Sequence, residues 1–512
     1  MQNYWWVTRP KRKLNSVPEV LSTFSELSLN QQWEGQRTSH LSLEDALERA
    51  GLKRTGERRD QGGGGARTYK AWLFSLGLIF TQESTQQIKL TLAGEAIING
   101  DSPVEVLKWQ VLKYQFPSAF SIGRNIAVSD RFKIHPFVFL LKLLMDTRIN
   151  SLSQDEIANI VIVEAENETD KCYEYIVKRI LDYRNSGDSI LPANFNELYG
   201  VAANSTNLKD VANTMMNWLD YTQLTLREDG RMYVVPERRN EVEKLLSKPF
   251  PFIDRCYDKE FFQRKYGIDP KHSKDTRNLS DSKTITAKML AEQQVIKAYI
   301  TLSLQKPITK ITTQVVDYIV SATGLKETFV IETLQKKYPK GSIGSFMTKY
   351  YEMAFKGRDE ATEFEKATVE LFQDVFNYQA KHVGPIGLTP DVLVLSDSDG
   401  YVGIIDNKAY SKYTISNDHH NRMVHNYING LNNYYDGNLP LGFFTYIAGG
   451  FGSKIDSQVK SIVNETGVHG SVINVHNMIE LVQKYNPDIY SHSDLRNIFT
   501  VDRQIVSADF II

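Results

Sequence analysis

The sequence predicts a multidomain α+β protein. Two N-terminal helical units each end in a β-hairpin, a helical connector follows, and a C-terminal α/β domain is built on a mixed central sheet. Three observations carry this expectation. The chain has 512 residues, too many for a single core. Twice in its first half an amphipathic helix runs into a pair of short apolar strands. Near residue 400, two apolar runs flank Ser396-Asp397-Ser398-Asp399-Gly400, a turn cluster between two buried strands.

Composition narrows the function classes. With 41% hydrophobic and 24% charged residues and no low-complexity tract, the chain reads as ordered and globular. A net charge of −1 advertises no polyanion partner, although a basic patch beside an acidic site would cancel in the sum. Cys172 and Cys256 form no CxxC pair, which argues against a disulfide scaffold and a structural zinc. No signal-type apolar stretch opens the chain, and no run approaches the ~18 apolar residues of a membrane span. A cytoplasmic protein without membrane contact is the expectation.

Residues 1–130 are expected to form a winged-helix DNA-recognition domain. Tyr4-Trp5-Trp6 followed by Arg9, Lys11, Arg12 and Lys13 could pin the N-terminus or supply phosphate contacts. A helix is predicted from Leu41 to the stop at Gly51. After it come Arg58, Arg59 and Gln61, four glycines, and a second helix beginning near Arg67, Thr68 and Lys70. Strands at Ile79–Thr81 and Ile88–Leu92 complete the order helix, turn, helix, hairpin. In that arrangement the later helix enters the major groove by its N-terminal side chains, and the glycines let backbone approach phosphate. A solvated basic loop is the plainer alternative. Residues 131–247 repeat the pattern: a helix from Asp210 to Leu224 leads into a hairpin turning at Asp229-Gly230. Residues 248–283, polar and proline-bearing, read as a linker. Residues 284–356 read as the helical connector, and 357–512 as the α/β domain.

That last domain carries the chemistry. Pro390-Asp391 opens one apolar run, and Val402–Ile405 leads into Asp406-Asn407-Lys408. Strand alternation puts Ile404, Asp406 and Lys408 on one face and Ile405 and Asn407 on the other. Ionisable groups at the ends of buried strands are costly without a role. Two carboxylates suit a hard cation, and a lysine beside them suits a water or a phosphate. In the preceding helix, Thr362–Tyr378, phase favours Glu365 over Glu370 as the glutamate on the strand side. His382, His419, His420 and His425 fit no zinc spacing and read as loop or DNA contacts. Tyr410, Ser411 and Tyr413 are further candidates for backbone contact.

Asp391, fourteen intervening residues, then Asp406-Asn407-Lys408 is the PD-(D/E)XK arrangement. KHVGPIGLTPDVLVL with GIIDNKAYSKYTI resembles the FokI cleavage domain. The tryptophan-rich start, Leu107–Ser118 and His135–Leu144 resemble the recognition part of type IIS enzymes of the AlwI and BstNBI kind. The resemblance implies a type IIS restriction endonuclease that hydrolyses double-stranded DNA outside an asymmetric site. It implies Mg²⁺, with Mn²⁺ able to substitute, held by Asp391, Asp406 and the Asn407 carbonyl. Lys408 and Glu365 would assist catalysis. It further implies a homo-oligomer for double-strand cleavage and a cognate DNA methyltransferase that makes no direct contact, in a bacterial cytoplasm. A strand-specific nicking enzyme and a non-catalytic DNA-binding protein are the alternatives. Position 392 is Val where the FokI motif has glycine, a change expected to alter packing rather than ligation.

Overall fold

The computed structural model describes residues 3–54, 62–122, 128–199, 207–228, 230–279, 286–339, 341–355, 357, 360–384 and 387–510. It divides into two compact units, 1–301 with 311–339, and 302–310 with 340–512. The residues read as a connector are thus shared between the units rather than forming a third.

In the first unit, helices Val17–Ser28, Arg37–Arg49 and Gly64–Ser75 precede an antiparallel pair, β1 (Ile79–Thr81) and β2 (Ile88–Leu90). In the first of these helices Pro18 sits in the first turn, where a missing N–H costs nothing. Leu73, Leu76, Leu78 and Ile79 are fully buried, as the apolar spacing requires. A second sheet takes the order β3 (Leu152–Ser153), β5 (Arg231–Val234), β4 (Thr225–Glu228), with the helix Asn207–Tyr221 before its hairpin. Trp5 is buried and its indole N–H donates to the Ala165 carbonyl at 2.8 Å, so the aromatic opening anchors the N-terminus.

The stretch read as a linker is packed instead. Helix Lys259–Tyr266 buries Phe262 and Tyr266, and the Tyr266 hydroxyl donates to the Gln110 carbonyl at 2.8 Å. Its prolines, Pro249, Pro251 and Pro270, lie outside that helix, and its aromatic residues have an apolar surface to cover.

The second unit holds a five-stranded mixed sheet in the order β10 (Gly470–Asn474), β9 (Leu441–Ala448), β8 (Tyr401–Lys408), β7 (Val392–Ser396), β6 (Gln379–His382). β7 runs antiparallel to both of its neighbours, β6 and β8, whereas β8, β9 and β10 run parallel. One face packs Val392, Ile405, Phe443, Ile447 and Ile473 against helices that include Ile343–Met353 and Ala361–Asp374. The other packs Leu393, Ile404, Phe444 and Val472 against Met423, Val424, Val459 and Ile462. Covered on both faces, β8 is buried almost throughout, apolar from Tyr401 to Ile405 and polar only at its Asp406–Lys408 end. Its turn closes through Gly400, whose φ of +65° is disfavoured for residues bearing a Cβ.

Candidate active site

Asp391, Asp406 and Lys408 converge where β7 begins and β8 ends. The Val392–Ile405 register sets the two strand ends side by side, and the Asn407 N–H donates to Asp391 Oδ2 at 2.6 Å. Lys408 Nζ lies 2.5 Å from Asp406 Oδ2. Asp406 Oδ1 is buried with no hydrogen-bond partner among the described residues, an orphaned acceptor beside a second carboxylate. Alternation sends the Asn407 side chain to the opposite face, where its amide donates to Thr368 Oγ1 at 2.7 Å and ties β8 to the Ala361–Asp374 helix.

The electrostatics are those of a charge-crowded, desolvated pocket. Burial, then the charge of Asp406, pushes the Asp391 pKa well up. Burial opposes the Lys408 ammonium, yet Asp406 and Asp391 outweigh it and raise its pKa. The phenols of Tyr413, Tyr427 and Tyr446 are pushed up as well, by burial first and then by Asp406. One lysine faces two carboxylates, so the second carboxylate's charge is left for a proton or a cation to offset.

Glu365 also reaches this corner. A Cβ on Gly384 would sit 3.3 Å from Asp391 Oδ1 and 3.5 Å from Glu365 Oε2, so the bare glycine keeps open the space that both carboxylates border. Glu370 lies elsewhere: burial raises its pKa, with Lys306, Asp374 and Glu363 as its charged neighbours. His382 is not a loop residue. It ends β6, and its Nε2 is 2.7 Å from Glu365 Oε2. Tyr413 is buried, with its hydroxyl 2.8 Å from His419 Nδ1, so it offers no open surface to DNA; Tyr410 remains half exposed. His420 pairs with Glu465 at 2.9 Å. The His382–Glu365 and Tyr413–His419 pairs are what sequence reasoning missed, and no local spacing signals either.

Among the described residues no group of three or more His, Cys, Asp or Glu side chains is placed to hold a metal. The donor set here is two carboxylates, one with an unpartnered oxygen. This suits a hard divalent ion that keeps several waters and takes one or two protein carboxylates.

The basic residues of the first unit are more occupied than the sequence suggested. Lys70 pairs with Glu34 at 2.8 Å, and Arg9 lies 4.0 Å from Asp210. Thr68 and Arg67 are exposed, but the Thr68 hydroxyl donates to the Gly64 carbonyl at 2.9 Å and an Arg67 guanidinium N–H to that of Gly62 at 2.7 Å. Burial lowers the Lys11 pKa against the pull of Glu19. Arg58, Arg59 and Gln61, like Asp229, lie outside the described residues. The buried Glu44 carboxylate accepts from the Ala66 N–H at 3.0 Å, filling the helix N-terminus expected to face phosphate. Gly63 and Gly65 are glycines because His40 and Glu44 occupy the space of a Cβ, a packing demand within the protein.

The sequence pattern of the AlwI restriction endonuclease family matches residues 74–339. The chain belongs to that family. The FokI cleavage domain matches residues 324–506, which contain the whole acidic corner and Lys408. The chain is therefore a type IIS restriction endonuclease, a site-specific deoxyribonuclease, with a FokI-like cleavage domain. Restriction endonucleases of the FokI type generally use divalent metal ions. Among solved structures, restriction endonuclease FokI aligns with 99% of this chain and 100% of its own at 14% identity and a TM-score of 0.29. FokI bound to DNA gives the same identity and coverage with a TM-score of 0.28. The BpuJ1 endonuclease binding domain, in complex with modified DNA, aligns with 52% of this chain and 97% of its own at 14% identity and a TM-score of 0.36. No curated protein matches the chain. No helix among the described residues is long and apolar enough to cross a membrane.

Proposed function

We propose that the chain cuts double-stranded DNA by Mg²⁺-dependent hydrolysis a short distance outside an asymmetric site, with Asp391, Asp406 and Lys408 as its catalytic core. The observation that carries this is the orphaned, buried Asp406 Oδ1 beside Asp391, with Lys408 seated on the other Asp406 oxygen. Asp391, Asp406 and the Asn407 carbonyl would hold the cation. When bound, it supplies Lewis acidity toward the scissile phosphate and offsets the excess negative charge.

The remaining work falls to the chain. Lys408, kept charged by its carboxylate neighbours, orients the attacking water and stabilises charge growing on the phosphate oxygens. The Asn407 N–H fixes the Asp391 rotamer. Glu365, held by His382, borders the space under Gly384 and acts as an auxiliary carboxylate. Water attacks in line, and the 3′ oxygen leaves with its electron pair. In the first unit, the run of three helices and a hairpin supports a winged-helix reading, with Arg67 and Thr68 as its exposed candidate contacts. The order helix Asn207–Tyr221, then β4 and β5, supports a second. One such corner cuts one strand, so double-strand cleavage calls for two cleavage domains and hence an oligomer on DNA.

The test is a digest of plasmid DNA with Mg²⁺ and mapping of every 5′ end, for wild type, Asp391→Ala and Lys408→Ala. Discrete ends at one offset on both strands, absent in the variants, are expected. Ends on one strand would identify a nicking enzyme, and wild-type cutting by either variant would refute the site.

A further inference from the structure

The first unit has a cavity of about 460 Å³ that none of the expected DNA-binding residues lines. Trp109 and Phe250 form one wall, with ring centroids 6.5 Å apart and planes inclined at 34°. Lys113, Lys248 and Lys265 supply three cations. Lys248 Nζ lies 5.8 Å above the Trp109 ring, and neither Lys248 nor Lys265 forms an ion pair among the described residues. Lys113 is fixed in place, donating to the carbonyls of Tyr266 at 2.8 Å and Ile268 at 2.5 Å. The carboxylate on the wall, Asp269, is buried and held by His272.

The contrast with the expected contacts is what gives this cavity weight. Lys70 and Arg9 already have carboxylates beside them, whereas Lys248, over the Trp109 ring, and Lys265, over the Phe261 ring that does not itself line the cavity, are exposed and form no ion pair among the described residues. Unpaired lysines interleaved with aromatic rings match a nucleotide, whose phosphate takes the cations and whose planar base or sugar covers the ring. Burial pushes the Lys113 pKa down to about 7, so an anion entering the cavity would stabilise its charged form.

We propose that this cavity seats one nucleotide unit of the DNA strand, its phosphodiester at Lys248 and Lys265 and its base or sugar against Trp109 and Phe250. The inference rests on the reading that the chain acts on DNA, and adds a contact point apart from the Gly64–Ser75 helix.

The test measures binding of the full chain to a mixed-sequence DNA duplex in EDTA, where no cutting intervenes, across a range of salt. A failure here therefore leaves the catalytic reading standing, and a failure of Asp391→Ala to lose cutting leaves this one. For Lys248→Gln/Lys265→Gln, the slope of log affinity against log salt should shrink by about 2, with affinity lower by on the order of tenfold. Lys171→Gln/Lys178→Gln, on the exposed side of the Asp170–Ser186 helix, removes equal charge and should leave the slope unchanged. DNA should also quench tryptophan fluorescence in wild type more than in Trp109→Phe. An unchanged slope in the cavity variant, or an equal change in both double variants, overturns the proposal. So does quenching of Trp109 by free dAMP but not by duplex, which would mark a pocket for free nucleotides.

Discussion

Asp391→Asn and Lys408→Met should abolish cutting alike, yet move stability in opposite directions. The corner buries two carboxylates against one ammonium. Replacing Asp391 with Asn removes the charge that burial and Asp406 disfavour, while the amide oxygen can still accept from the Asn407 N–H. Relief of a poorly solvated buried charge is worth about 1–3 kcal/mol. Removing the ammonium strands Asp406 and Asp391 together, and breaking a buried pair costs about 3–5 kcal/mol. The second unit covers 302–310 and 340–512. For a domain of that size, 1 kcal/mol moves Tm by about 2–4 °C. In EDTA at pH 8, its unfolding should therefore rise by about 2–12 °C for Asp391→Asn and fall by about 6–20 °C for Lys408→Met. The gain has a pH signature. Asp391 has a folded pKa above its unfolded value, so the folded state holds a proton the unfolded state has released. Wild-type stability thus falls as pH rises from about 4 through the folded pKa. The advantage of Asn is full above that window and vanishes below about pH 4. Calorimetry in EDTA from pH 4 to 8, beside plasmid cleavage in Mg²⁺, reads all of this. Destabilisation by Asp391→Asn at pH 8, or a neutral Lys408→Met, would refute the charge-crowding argument.

Mg²⁺ at 100 times its Kd should stabilise wild type by about 2.7 kcal/mol, seen as a shift in Tm that Asp391→Asn abolishes. Glu365→Gln should slow single-turnover cleavage by on the order of tenfold, as loss of an auxiliary carboxylate beside a metal site does, whereas Glu370→Gln should stay near wild type. Gly403→Ala would drive a Cβ into the Phe443 ring, so the second unit should lose about 1–3 kcal/mol in urea unfolding, with the same loss in EDTA and in Mg²⁺.

The nuclease hairpin was legible in the sequence because its determinants are local. A period of two, a turn cluster ending in glycine and a PD…DNK spacing are properties of adjacent residues, and they place Asp406 and Lys408 on one face wherever the strand goes. The helix Asn207–Tyr221, expected from Asp210 to Leu224, was legible within a few residues for the same reason. Tertiary structure decided what depends on meeting a distant partner. Strand order beyond the hairpin, with β9 and β10 parallel to β8, leaves no mark within any one strand. Helix phase already favoured Glu365 over Glu370, but its meeting with Gly384 and His382 is made by the sheet and helix together. Glu44 reaches a helix N-terminus 22 residues on, and Lys70 meets Glu34, so residues that read as open for phosphate are already occupied. The segment 248–283 reads as a linker by composition, yet aromatics within it such as Phe262 and Tyr266 found surface to cover. Periodicity reports which way a side chain points; only the folded chain supplies what it points at, and a charge is free for function only if nothing inside the protein has claimed it.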